Sequence, residues 1–266
     1  MKNNNKLKFA ALVFSILTFS SSIQAKINVV ASIKPIHSLV ASVMDGVGEP
    51  SLIVDGSASP HTFQLKPSHA KLLQNADIIF WIDKNLENFL VKPLSSIAKK
   101  SKKISLMEIR GIKKLKFREK NIFVEKHDDH KGHKEHAHGE FDIHIWLDPE
   151  NAKTMSMEIA KELSKIDPKN KLIYESNAKK VSFKINKMMK EIKKEINKDA
   201  AFVVFHDAYQ YFEKRFNIDV VGALTVNPEV LPGAKQLTEI RKEIKHEKVK
   251  CLFSEPQFNP SIAKAI

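Results

Sequence analysis

The sequence contains few of the residues that usually build disulfide frameworks or nucleic-acid interfaces. Cys251 is the only cysteine, so these 266 residues cannot form a disulfide among themselves, and a lone cysteine indicates a buried inert thiol, an intermolecular bond or a lost partner. Arginine occurs four times among 44 basic residues, so scattered lysines supply nearly all of the net charge of +13. Specific readers of nucleic acid use arginine forks and clustered basic stripes, whereas scattered lysines are typical of solvated helix faces. We therefore predict no nucleic-acid partner.

Long hydrophobic runs are also scarce. The apolar run at residues 9–19 is shorter than the roughly 20 residues that a membrane-spanning helix needs. It follows three lysines and precedes a small residue, Ala25, so we interpret residues 1–25 as a secretory signal peptide. No cysteine follows this cleavage point, so we expect no lipid anchor there. The prediction is a soluble periplasmic protein.

Short apolar runs alternate with helical patterns along the rest of the chain. This alternation is typical of βαβ units and predicts an α/β protein with two Rossmann-like lobes and mostly parallel sheets. Residues 169–198 carry one apolar stripe at helical spacing and predict a long, rigid helix between the lobes. The predicted N-terminal lobe is 26–168 and the C-terminal lobe is 199–266. Within the first lobe, Asp148-Pro149-Glu150 predicts a helix start.

Five of the 11 histidines fall within one polar segment, residues 125–141. Imidazole and carboxylate groups alternate there, and such a segment cannot pack into a core. We expect a histidine-rich loop that binds divalent metal loosely, because nothing fixes its ligands. The histidines of this auxiliary loop are His127, His130, His133, His136 and His138.

Three isolated histidines occupy positions that suit a binding site. His61 follows a predicted strand and turn, and His206 closes the predicted strand 201–205. In open α/β sheets, ligand-binding groups gather at the carboxyl ends of strands. His144 lies just before the predicted helix start. The remaining histidines fall on helical patterns rich in lysine, and we assign them to the surface or to packing: His37, His69 and His246.

Five segments together resemble the metal-receptor class of ABC-transporter substrate-binding proteins, and its zinc-receptor branch most closely. The resemblance covers nearly the whole chain after residue 25. The segments are GSASPHTFQLKPS (56–68), HIWLDPENA (144–152), VFHDAYQYF (204–212), GALTVNPE (222–229) and CLFSEPQF (251–258).

The resemblance implies a metal ion held between two lobes by His61, His144 and His206. In manganese-binding relatives the third ligand is a carboxylate, and three nitrogen ligands suit Zn²⁺ better. The implied function is high-affinity capture of periplasmic zinc, as transported cargo, for the membrane permease of an ABC importer. We expect a monomer that is not an enzyme. Glu255 is a candidate for one of two roles: it contacts a ligand side chain without touching the metal, or it is the fourth ligand.

The family's C-terminal lobe continues by a final strand and helix beyond the position of Ile266. We therefore expect the lobe 199–266 to be incomplete. In the zinc-binding branch that tail also supplies a partner for the cysteine that matches Cys251. Taken from this sequence alone, the apolar run around Cys251 predicts a buried, inert thiol.

Two other kinds of function remain as alternatives. Three histidines with an open fourth position are also the pattern of catalytic zinc, which allows an exported zinc-dependent hydrolase or lyase. Against this, the sequence has no His-Glu-x-x-His pair. The other alternative is a periplasmic zinc buffer or chaperone, in which the histidine-rich loop would be the main site.

Overall fold

The computed structural model describes residues 27–118, 121–122, 140–226, 228, 230, 232–264 and 266. The predicted signal peptide and the histidines of the predicted loop lie outside these residues. The fold prediction is confirmed: the described chain forms an α/β structure with two parallel sheets and a long helix. None of the described helices has the length and apolar character to cross a membrane.

The first sheet has four parallel strands in the order β2-β1-β3-β4. Its central strands, β1 and β3, are almost entirely buried because helices cover the sheet, and this burial explains their apolar sequences. The edge strand β4 reads Lys-Lys-Ile-Ser, and the apolar-run pattern did not predict it. The strands are β1 (Val29–Ala31), β2 (Ser51–Leu52), β3 (Ile78–Trp81) and β4 (Lys102–Ser105).

Among the described residues before Lys171, four α-helices accompany this sheet. Pro35 lies in the first turn of α1, where a missing backbone N–H costs nothing. The predicted helix start at Asp148 is confirmed, because its side chain accepts a hydrogen bond from the backbone N–H of Glu150. The helices are α1 (Lys34–Val43), α2 (Pro67–Asn75), α3 (Asn88–Ser96) and α4 (Pro149–Ile166).

Helix α5 (Lys171–Glu195) runs between the two sheets in the chain and lies within the predicted segment 169–198. Its first half packs on α1 and α4 through a buried face that includes Tyr174, Ala178 and Val181. Farther along the stripe, Met188 is exposed. The N-terminal half of α5 is therefore packed into the core of the first lobe.

In the part of the chain that the structure describes, the second sheet has three parallel strands in the order β6-β5-β7. Its strands are β5 (Phe202–His206), β6 (Gly222–Thr225) and β7 (Cys251–Phe253). Its helices are α6 (Gln210–Phe216), α7 (Ala234–His246) and α8 (Pro260–Lys264).

Two expectations in this lobe were wrong. Cys251 is exposed rather than buried, and it lies on β7, which is an edge strand of the described sheet. From the sequence, the position of Asp207 just after the predicted strand 201–205 predicts a cap for the helix that follows, but α6 begins only at Gln210. The Asp207 carboxylate instead accepts a hydrogen bond from Arg118.

The backbone of the first lobe reaches the second sheet at β6. The backbone N–H of Ala223 donates to the carbonyl of Asn121 (2.8 Å), and Ile122 forms an antiparallel bridge with Gly222. A Cβ atom on Gly222 would lie 2.5 Å from the Asn121 carbonyl oxygen. Only glycine therefore permits this close approach of the two lobes.

Candidate metal centre

Three imidazoles from separate parts of the chain meet between the lobes. His61 lies on the loop after β2, His144 precedes a short 3₁₀ turn (Ile145–Leu147), and His206 ends β5. One nitrogen from each ring lies within 4.8 Å of the other two. The ring centroids are 5.3 to 5.9 Å apart. Both lobes thus contribute to one cluster of metal-competent nitrogen atoms.

The ring of His144 is held by a buried carboxylate. Oδ1 of Asp142 lies 2.7 Å from Nδ1 of His144 and also accepts the backbone N–H of that residue (2.9 Å). A carboxylate accepts hydrogen bonds, so it favours the tautomer with the proton on Nδ1. The lone pair of Nε2 then faces the cluster and is free to bind a metal.

His206 has a similar neighbour in the second lobe. Its Nδ1 lies 2.8 Å from Oε1 of Glu255, and the hydroxyl of Tyr209 donates a hydrogen bond to the same oxygen (3.2 Å). Burial lowers the pKa of His206, and the adjacent Glu255 carboxylate opposes this shift. A lowered pKa keeps the ring neutral at neutral pH, which is the form that binds metal.

The cluster lines a cavity of about 210 Å³. Side chains from both lobes line it, including Trp146, Tyr209 and Phe258. Sites for small organic ligands usually measure roughly 300–1,000 Å³. The cavity therefore suits an ion with a few waters better than an organic substrate.

A network of polar contacts holds the two lobes together beside the histidines. The guanidinium of Arg215, on α6, makes two 2.7 Å hydrogen bonds to the carboxylate of Asp148, which caps α4. Tyr211 donates its hydroxyl to the carbonyl of Asp142 (2.8 Å), and Gln210 donates its amide to the carboxylate of the same residue (2.6 Å). The carboxylate behind His144 is therefore itself fixed by the second lobe.

Arg118 forms the other part of this network. Its guanidinium hydrogen-bonds Asp207 (2.8 Å) and both carboxylate oxygens of Glu213 (2.5 and 3.1 Å). Burial raises the pKa of Asp207 to about 6, and the charge of Arg118 opposes that shift. Two of the four arginines, 118 and 215, thus join the lobes. The rarity of arginine in this sequence is the signal that could have identified these two positions as contacts between the lobes.

The three histidines that were assigned to the surface or to packing lie outside the cavity. His37 contacts the carbonyl of Pro50 through Nε2 (3.0 Å). His69 accepts the backbone N–H of Lys66 at the start of α2 (3.0 Å). His246 contacts the carboxylate of Glu247 (2.7 Å). Each ring therefore has a local structural partner.

Comparison with protein families identifies one match over residues 29–266. The matching family is described as zinc-uptake complex component A, periplasmic. The high-affinity zinc uptake system protein ZnuA of Brucella abortus is 41% identical over an alignment that covers all of this chain and 87% of that protein.

Solved structures with the same fold include two streptococcal proteins. The laminin-binding protein Lmb of Streptococcus agalactiae, described as having adhesin and metal-transporting activity, matches with a TM-score of 0.74 and 26% identity. That match covers 91% of this chain and 84% of Lmb. A zinc-bound variant of AdcAII from Streptococcus pneumoniae matches with a TM-score of 0.69 and 27% identity, covering 86% of this chain and 80% of AdcAII.

Proposed function

Because the chain belongs to the family of periplasmic zinc-uptake complex component A, we propose that it is a high-affinity zinc receptor. In this role it captures Zn²⁺ in the periplasm and delivers the ion to the permease of an ABC importer. We further propose that the chain acts as a monomer after removal of residues 1–25. The zinc ion is cargo, bound and released without a chemical reaction.

The convergence of His61, His144 and His206 is the observation that carries this proposal. Zinc binds imidazole nitrogen at about 2.0–2.1 Å in tetrahedral geometry, which places two ligand nitrogens about 3.3–3.4 Å apart. The Nε2 atoms of His144 and His206 are 3.4 Å apart. These two rings therefore already lie at the separation that a shared zinc ion requires. The fourth position is left to water or to a nearby carboxylate.

Asp142 and Glu255 act as positioning residues in this proposal. Each carboxylate lies beside the Nδ1 atom of one ligand ring, so it orients Nε2 and makes the ring a better electron donor. Oε1 of Glu255 faces both His206 and Tyr209. We therefore assign Glu255 the role of orienting His206, in preference to that of fourth ligand.

The family membership of the chain and the volume of the cavity together favour zinc transport over a zinc-dependent hydrolase or lyase and over a zinc buffer or chaperone. A zinc hydrolase needs room for an organic substrate beside the metal, and the cavity measures about 210 Å³. A buffer would rely on the histidine-rich loop, whereas the convergent imidazoles form a site without it. The proposed role of the loop is to gather metal locally and pass it inward, or to sense occupancy of the site.

Competitive titration of zinc against a chromophoric chelator tests the proposal. The samples are the chain from Lys26 onward and its variants His61→Ala, His144→Ala and His206→Ala, with His37→Ala as the matched control. We expect one tight equivalent of zinc, lost in each of the three variants and kept in the control. Weak, multiple binding that is unchanged in the three variants would contradict the proposed site.

A further inference from the structure

The outward face of α5 has an unusual composition. At 3.6 residues per turn, the face opposite the buried Tyr174 and Ala178 is made by positions 172, 176, 179, 183, 187, 190 and 194. All seven are exposed. The residues of this outward face are Leu172, Ser176, Lys179, Phe183, Lys187, Lys190 and Lys194.

Charge on the outward face is of one sign. Helix α5 contains eight lysines and three glutamates, and none of the glutamates belongs to the outward face. On the flank of this face, Oε1 of Glu191 lies 3.8 Å from Nζ of Lys187. An exposed pair at this distance contributes little binding energy and is screened by salt. The face therefore presents four lysines over its C-terminal two-thirds.

Two large apolar side chains lie in the same row as these lysines. Phe183 is 72% exposed and Leu172 is 78% exposed. Single exposed apolar residues are common, but these two share the basic face and are separated by three helical turns. The helix is about 37 Å long, as follows from its 25 residues at about 1.5 Å each. The result is a long basic ridge with apolar side chains directed outward.

We propose that the outward face of α5 docks the protein on the surface of an anionic phospholipid bilayer. Lysines over a negatively charged leaflet and apolar rings at the headgroup boundary are the combination that holds helices in the membrane interface. No described residue of α5 lines the cavity of the three histidines, so docking leaves that cavity accessible. This inference does not depend on the identity of the metal.

Docking of this kind has a direct consequence for transport. A receptor that rests on the membrane meets a membrane-bound permease by diffusion in two dimensions, so weak binding already raises its local concentration. Lysine contacts with anionic lipid are long-ranged and fall with ionic strength, so docking is readily reversible. The face therefore recruits the receptor without locking it to the membrane.

Vesicle co-sedimentation tests the proposal directly. The chain from Lys26 onward is used, so that residues 1–25 cannot insert into lipid, with vesicles of phosphatidylcholine alone or with phosphatidylglycerol. We expect binding only to the anionic vesicles. Near the surface each lysine contributes about fivefold to the partition coefficient, so K179Q/K187Q/K190Q/K194Q should lower it at least about a hundredfold. Phe183→Ser should lower it several-fold.

The matched control is K84Q/K92Q/K99Q/K100Q, which removes the same charge from exposed positions of the first lobe. It should retain most of the binding. Thermal unfolding and zinc titration should show that both quadruple variants are folded and load metal normally. Equal losses in the two quadruple variants would overturn the proposal, since net charge alone would then explain binding. Absence of binding to the anionic vesicles at low salt would overturn it as well.

Discussion

Replacing Asp142 by asparagine should weaken zinc binding without changing any proposed ligand. The carboxylate is fully buried and accepts three hydrogen-bond donors: the backbone N–H and Nδ1 of His144, and the amide of Gln210. Asparagine keeps the shape but replaces one acceptor oxygen by an NH₂ group, so one donor then faces another donor. It also removes the negative charge beside the imidazole. Partners of this kind typically contribute about 10–100-fold to metal affinity.

The assay is competitive zinc titration, with Asp167→Asn as the matched control. Asp167 is also a buried carboxylate, and it accepts the hydroxyl of Tyr174 (2.8 Å) and the amide of Asn170 (2.6 Å) away from the cavity. Both variants should lose roughly 1–3 kcal/mol of stability. Only Asp142→Asn should lose zinc affinity. Wild-type zinc affinity in Asp142→Asn, or an equal loss of affinity in the control, would contradict the positioning role of Asp142.

Three further predictions concern pH and the histidine-rich loop. Burial raises the pKa of Glu87 from 4.5 to about 7, so the stability that its protonated form contributes is lost as pH rises through that window. The free energy of unfolding of Glu87→Gln relative to wild type, measured by urea unfolding, should therefore rise by up to about 3 kcal/mol between about pH 5 and 8. A difference that does not change with pH would contradict this. Zinc affinity, measured by chelator competition, should fall as pH drops through about 6.5, because imidazole binds metal only when it is neutral. The lowered pKa of His206 moves the contribution of this residue to lower pH. Undiminished affinity at about pH 5 would exclude a three-imidazole site. Deletion of residues 127–138 should leave the tight equivalent of zinc in place and remove weak binding, as read by isothermal titration calorimetry, whereas loss of the tight equivalent would make the loop the main site.

Local patterns in the sequence predicted the alternation of strands and helices, because hydrophobic periodicity reports burial directly. His206 could be placed at the end of a strand for the same reason, since the apolar run 201–205 ends there. The edge strand β4 escaped prediction because only its later residues are half-buried, so its sequence lacks an apolar run. The exposure of Cys251 escaped prediction because an apolar run does not distinguish a central strand from an edge strand.

The contacts that position the imidazoles could not be predicted, because they join residues far apart in the chain. Arg215 and Asp148 are separated by 67 positions, and Gln210 and Asp142 by 68. Each of these residues has an ordinary local interpretation: Asp148 is a helix cap, and Arg215 is a cation in the last turn of α6. Their joint role follows only from the way the lobes pack. The convergence of His61 with His144 depends on packing within the first lobe, and the convergence of both with His206 depends on the packing of the two lobes.

The position of zinc in a crystal loaded with one equivalent of the metal is the most direct test of the proposed three-histidine site. Anomalous scattering measured on both sides of the zinc absorption edge locates the ion independently of its proposed ligands. The proposed site predicts one strong peak about 2.0–2.1 Å from a ring nitrogen of each of His61, His144 and His206. A strong peak elsewhere, with none between these three rings, would contradict it.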